Sequence, residues 1–159
     1  GCWFIKNIER ATGYAGAELV RILLRHKDVT IKWYGSRSYV DEKYASVYRN
    51  MFELVEDSCF DDNIEELAEQ VDVIFTATPQ GYLGGILTEE LLKKARFIDL
   101  SADYRIKDVA TYEKWYKIKH QSPQLIGQAV YGLCEMNRGL VDENTRLIAN
   151  PGSARSMKI

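Results

Sequence analysis

The sequence predicts an α/β fold, a doubly wound parallel sheet in a single domain, and three observations point there. Strand-like and helix-like segments alternate along the 159 residues, which calls for a parallel sheet, right-handed crossovers and helices on both faces. Residues 71–76 (VDVIFT) form a β-branched apolar run of the type buried on both faces of such a sheet. Residues 11–19 (ATGYAGAEL) place a glycine-bearing turn where a helix opens.

Taken in order, residues 15–25 carry Leu19, Ile22 and Leu23 at helical spacing and read as a helix. His26 follows Arg25 at its end, where a cation suits the helix dipole. Residues 29–34 (VTIKWY) alternate with period two and stop at Gly35, a strand, and residues 52–55 read as a short strand. Residues 63–70 read as a short acidic helix with Asp61 or Asp62 as N-cap. After the VDVIFT strand, residues 88–94 predict a helix with the Thr88 hydroxyl at its start and lysines at its end. Residues 97–100 predict a strand, 108–116 a helix, and 146–149 a last strand running into Asn150-Pro151-Gly152.

The amino end fits less well. Phe4, Ile8 and Ala11 fall at helical spacing, while Lys6, Glu9 and Arg10 bring charge to what should be a central strand buried on both faces. Burying those charges unpaired costs several kcal/mol. The expectation is a degraded first strand, with residues 2–10 as a frayed helix or disordered.

Composition narrows the function classes. The chain is 46% hydrophobic and 28% charged with a net charge of −2, and its Lys and Arg are dispersed. That argues against a nucleic-acid surface, which needs a concentrated positive field. No apolar run approaches the ~20 residues that span a bilayer, and residues 1–6 lack the apolar core and cleavage site of a signal peptide. Cys2, Cys59 and Cys134 are too widely spaced for a disulfide framework or a zinc pattern, and with only His26 and His120 no metal site is expected. The reading is a soluble cytoplasmic domain.

Four segments carry chemistry. The turn at residues 11–16 offers backbone N–H groups and a positive helix end to a pyrophosphate, although an ordinary glycine-containing helix start reads the same way. Ser36, Arg37 and Ser38 follow the VTIKWY strand, where an acidic residue would bind the ribose hydroxyls of NAD. Two hydroxyls and a guanidinium suit the 2′-phosphate of NADP instead, or form a solvated basic turn. Residues 77–81 (ATPQG) lie where a loop packs along a nicotinamide. In residues 99–105 (DLSADYR), Arg105 is of the type that grips a carboxylate or phosphate bidentately, or else pairs with Asp103 at the surface.

Together the runs ATGYAGAELVRILLRH, SRSY, IDLSADYRIKD, YEKWY, YGLCEMNR and IANPG resemble the N-acetyl-γ-glutamyl-phosphate reductase family in order and spacing, over residues 11–152. The resemblance implies a Rossmann-like NADP-binding domain. It implies an oxidoreductase of arginine biosynthesis that reduces an acyl phosphate with NADPH to a semialdehyde, through a cysteine thioester. A thiolate suits that role as a strong nucleophile and good leaving group. Carried over by position, Gly13, Tyr14, Ala15 and Gly16 face the pyrophosphate, Ser36, Arg37 and Ser38 hold the adenosine phosphate, and Pro79 lies near the nicotinamide. Arg105 becomes a substrate anchor, and His120 falls in a loop where the family often has histidine.

The sequence departs from the family at both ends. Ser153 stands at the cysteine's place directly after Asn-Pro-Gly, where its ester would accept hydride far less readily than a thioester. Asn7 and Arg10 occupy the first two positions of the family's glycine pattern, with Gly13 third. The expected division is therefore a family-foreign segment 1–10, a nucleotide-binding domain 11–152 and a foreign tail 153–159 without the catalytic and dimerisation domain. A frameshifted or truncated reading frame would produce such ends. The expected partners are a small acyl phosphate and further copies of the chain. Two other readings stay open: a non-catalytic nucleotide-binding or scaffold fragment, and a related aspartate-semialdehyde dehydrogenase.

Overall fold

Aromatic and β-branched residues settle the amino end: Trp3–Lys6 is a strand, β1. The fold comes from a computed structural model that describes residues 3–6, 14–36, 38–61 and 63–152. The chain divides into two compact units, Gly1–Ala77 and Thr78–Ile159.

In the first unit β1 is followed by helix α1 (Tyr14–Leu23), which buries Gly16, Val20 and Leu23, one stripe of its surface. Strand β2 (Val29–Gly35) pairs parallel with β1, Trp3 opposite Val29 and Ile5 opposite Ile31. Its Thr30 and Lys32 are exposed while Val29, Ile31 and Trp33 are half-buried, as the period-two reading requires. Helix α2 (Tyr44–Val47) and a 3-10 turn (Arg49–Met51) lead to strand β3 (Cys59–Phe60), parallel to β2. Helix α3 (Ile64–Ala68) and strand β4 (Val73–Thr76) complete the unit, with β4 parallel to the other side of β1. Under this sheet Val20, Tyr34, Tyr44, Met51, Val55 and Cys59 form a buried cluster.

Three expectations for this unit change. The helical spacing through Phe4 loses to pairing: β1 has partners on both sides, which satisfies its backbone as a fraying helix cannot. Ile8, Ala11 and the charges at Glu9 and Arg10 lie outside the described residues. Residues 52–55 form no strand, because Glu53 takes a left-handed φ of 64° and the Leu54 and Val55 amides turn back to Met51. Asn63, not Asp61 or Asp62, caps α3, its side chain accepting from the Glu66 amide.

The second unit opens with helix α4 (Tyr82–Ile86), absent from the sequence reading, and helix α5 (Glu89–Lys94), whose N-cap Thr88 accepts from the Leu91 amide. Strand β5 (Arg96–Asp99) precedes helix α6 (Val109–Tyr116), capped by Asp108. A 3-10 stretch (Pro123–Gln128) leads into strand β6 (Ala129–Tyr131), helix α7 (Cys134–Asn137) and strand β7 (Leu147–Ala149). The last strand lies between the other two and parallel to both, Leu147 standing opposite Phe97 on one side and Ala129 on the other. No helix among the described residues is long and apolar enough to cross a membrane.

Candidate functional site

In the first unit the chain runs from β1 outward to β2 and β3, then returns to β4 on the opposite side of β1. Such a reversal of strand order opens a crevice beyond the carboxyl ends of the strands, where open α/β sheets take their ligands. Helix α1 begins beside it. No acidic residue stands in its first turn to offset the positive helix end. Tyr14 is 97% exposed, Ala15 is exposed and Gly16 is buried, while Gly13 lies outside the described residues.

At the exit of β2 two of the predicted phosphate ligands, Ser36 and Ser38, differ in burial. Ser36 is buried, and its amide donates to the Phe60 carbonyl. Ser38 is exposed, and Arg37 lies outside the described residues. Ser36 thus shapes the turn and Ser38 faces solvent. Behind the turn Tyr34 stacks on Tyr44 at 4.7 Å and Tyr44 on Tyr48 at 5.6 Å. Burial pushes the Tyr34 and Tyr44 phenols well above their ordinary range, and it raises the Cys59 thiol. Cys59 is therefore a core residue, not a nucleophile.

In the second unit the DLSADYR segment is a hub. The Asp99 carboxylate accepts from the Ser101 amide at 2.9 Å and the Ser101 hydroxyl at 2.7 Å. The Asp103 carboxylate accepts from the Gly81 amide at 2.7 Å and the Gly84 amide at 3.0 Å, an anion set at the first turn of α4. It also accepts from the Tyr112 hydroxyl at 3.1 Å, which in turn accepts from Gln80 Nε2 at 3.3 Å. Burial, above all, pushes the Tyr112 phenol up to about 12. The alternative reading, an Asp103–Arg105 surface pair, is not what forms, because each charge has found backbone partners. Arg105 Nε donates to the Asn150 carbonyl at 2.8 Å and Nη2 to the Leu100 carbonyl at 2.6 Å.

His120 is buried with both ring nitrogens engaged. Nδ1 accepts from the Ser122 amide, which leaves Nε2 to donate to the Asp103 carbonyl at 2.6 Å. Tyr104 closes the same cluster through a 2.6 Å hydroxyl contact with Ser122. His120 thus holds a loop together and exposes no base. The loop after β4 keeps Pro79 and Gln80 exposed. Beside them, the Thr78 hydroxyl is buried without any hydrogen-bond partner. Sequence reasoning missed Asp103, Tyr112 and Thr78. The only available signal was the three-residue spacing of Gly81 and Gly84, which aims two amides at one acceptor.

Comparison with known proteins bears on this arrangement. The family model described as semialdehyde dehydrogenase, NAD binding domain, matches residues 11–144. The chain is 66% identical over 142 residues to the N-acetyl-gamma-glutamyl-phosphate reductase of Lachnoclostridium phytofermentans, and 63% identical to that of Lachnospira eligens. Each match covers 89% of this chain and 41% of the relative, so the chain spans about two fifths of the length of these curated relatives. Among solved structures, aspartate semialdehyde dehydrogenase II of Vibrio cholerae aligns with a TM-score of 0.60 and 17% identity, over 95% of this chain and 42% of that one. At that identity the likeness shows the fold alone.

Proposed function

Because this chain belongs to the family of semialdehyde dehydrogenase NAD-binding domains, we propose that it supplies the nucleotide-binding share of an N-acetyl-γ-glutamyl-phosphate reductase. The whole reaction is the NADPH-dependent reduction of N-acetyl-γ-glutamyl phosphate to the semialdehyde in the cytoplasm, with a small acyl phosphate as substrate and copies of the chain as partners. The 66% identity to a reductase of that name carries the reading. Runs such as ATGYAGAEL and DLSADYR favour it over the aspartate-semialdehyde alternative.

A dinucleotide fits the residues present. In the first unit the strand order reverses between β2 and β4, and α1 begins without an acidic first turn. The bound nucleotide supplies the hydride. Gly13, Tyr14, Ala15 and Gly16 receive its pyrophosphate on backbone amides. Arg37 and Ser38, on the turn that Ser36 shapes, meet the 2′-phosphate, so NADP is preferred to NAD. Pro79 packs at the nicotinamide, in a loop that Asp103 holds through Gly81.

Ser153 favours a second reading of what this polypeptide does on its own. A serine there gives no activated thiolate, so the chain binds nucleotide without turning over. Titration of NADPH and NADH into the purified chain, read through the fluorescence of its tryptophans, tests the proposal. Saturable binding that favours NADPH supports it, and a folded chain that binds neither nucleotide overturns it.

A further inference from the structure

We infer that the chain carries two complementary surfaces through which one copy holds another. An acidic, apolar groove beside α2 receives the lysine-rimmed tip of α6, led by Trp115, from a second copy. The inference deepens the reading above that copies of the chain are its partners, and it involves no residue assigned to the nucleotide.

The groove belongs to the loop between β2 and β3. The Tyr44 amide donates to the Asp57 carbonyl at 3.0 Å, which closes the loop, and Tyr44, Met51 and Val55 bury its inner side. The left-handed turn at Glu53, with φ 64°, leaves Phe52 and Leu54 outside, 70% and 65% exposed. A cavity of about 400 Å³ opens here, and its lining includes Lys43, Ala45, Phe52, Glu53, Val55 and Glu56. Glu53 and Glu56 are exposed, and neither carboxylate meets a hydrogen-bond or ion-pair partner among the described residues. They outnumber Lys43, and residues 53–72 hold nine Asp and Glu with no Lys or Arg. Such a field draws a cation.

The same chain carries a matching cation. Helix α6 buries Tyr112 and turns out Lys114 and Trp115, the indole 57% exposed. Lys117 ends the helix with a left-handed φ of 60°, and Ile118 and Lys119 follow it, both exposed. None of the three lysine ammonium groups has a partner among the described residues. The neighbouring Glu113 carboxylate is taken by the His120 amide at 3.1 Å. An indole ringed by cations is therefore the inverse of an apolar groove rimmed by carboxylates. The cavity has room for one indole, and Phe52 offers it a ring to pack on. Trp is the kind of anchor that dominates an interface, and rim charges then select the partner. Groove and tip are different surfaces, so the contact is heterologous: each copy that docks leaves its own groove open, and association continues beyond two. One anchor with a few charge pairs belongs to the transient class of interface, which buries less than about 1,200 Å².

The test is sedimentation velocity of the purified chain without nucleotide, over a concentration series reaching the millimolar range. The parent is expected to associate without levelling at a dimer, and severalfold more weakly when ionic strength rises from about 0.05 M to about 0.5 M. Trp115→Ala and the groove variant Glu53→Lys/Glu56→Lys should each stay monomeric alone. Mixed in equal amounts they should form a dimer and stop there, because the mixture holds one sound tip and one sound groove. A parent that is monomeric throughout, variants that associate like the parent, or a mixture that stays monomeric overturns the inference. Alkylation of buried Cys59 reports folding in every variant. If it becomes reactive in the Lys variant, Glu53→Gln/Glu56→Gln takes its place and is held to the same outcomes. Association that no variant changes would leave copies as partners and sink this surface alone. Failure to bind NADPH would defeat the functional reading and leave this one standing, because sedimentation is measured without nucleotide.

Discussion

Asp103 shows how much of the second unit depends on one carboxylate. It accepts from two amides at the start of α4 and from the Tyr112 hydroxyl, while 1% of its surface is exposed. Asn in its place turns one acceptor into a donor that faces an N–H, so a buried group loses its partner. Asp103→Asn should lower stability by about 2–3 kcal/mol, read as a fall in the urea midpoint. Tyr112→Phe, which removes only one donor to that charge, should cost about 1.5 kcal/mol. The reverse order would mean that the carboxylate is not the hub. Tyr112 also makes a prediction about pH. Its folded pKa, near 12, lies above the ordinary 10, so its contribution is complete below pH 10 and is lost as pH rises through 12. Buried Tyr34, Tyr44 and Tyr104 shift in the same direction. Urea midpoints should hold to pH 10 and then fall, and a flat profile through pH 12 would contradict this. None of it was legible beforehand. Asp103 and Arg105 sit two residues apart, and that spacing does not separate a surface ion pair from two side chains that serve different backbones.

Short elements behave differently from long ones, for the same reason. Helices α5 and α6 were readable because Thr88 and Asp108 announce their starts and cap them in the fold. Thr88→Ala should cost about 1 kcal/mol in the same denaturation assay, while Thr88→Ser should cost almost nothing. Helix α4 was unreadable because its five residues include Gly84 and Gly85, poor helix formers, and its first turn is fixed by a side chain 19 positions away. Strand β1 was misread because charges nearby outweighed the propensity of Trp3, Phe4 and Ile5, and its pairing on both sides is a tertiary fact. Gly132 lies at the close approach of β6 and β7. A Cβ there would stand 2.7 Å from Ile148 Cγ2. Gly132→Ala should therefore cost about 1–3 kcal/mol by overpacking, in a region where the sequence predicted only the last strand.

At the scale of the whole molecule, the parallel α/β plan and the family were both legible, because they rest on periodicity and on glycine-bearing turns. The division of labour among site residues was not, since burial separates Ser36 from Ser38 and gives Arg105 its two carbonyls. This difference can be put to a test through ligand linkage. Anything that binds only the folded chain stabilises it by RT ln(1 + [L]/Kd), about 2.7 kcal/mol at a hundredfold excess over Kd. That is close to the loss expected for Asp103→Asn. NADPH at that excess should therefore raise the unfolding midpoint of the parent chain and bring the Asp103→Asn variant back near the unliganded parent. On the proposed assignment of Arg37 and Ser38 to the 2′-phosphate, NADH at the same concentration should do less. Rescue by NADPH would mean that the nucleotide site outlasts damage to the α4 hub. If NADPH stabilises the parent but not the variant, the Thr78–Gly81 loop that Asp103 holds is itself part of the binding surface, and the orphaned Thr78 hydroxyl becomes the next residue to change.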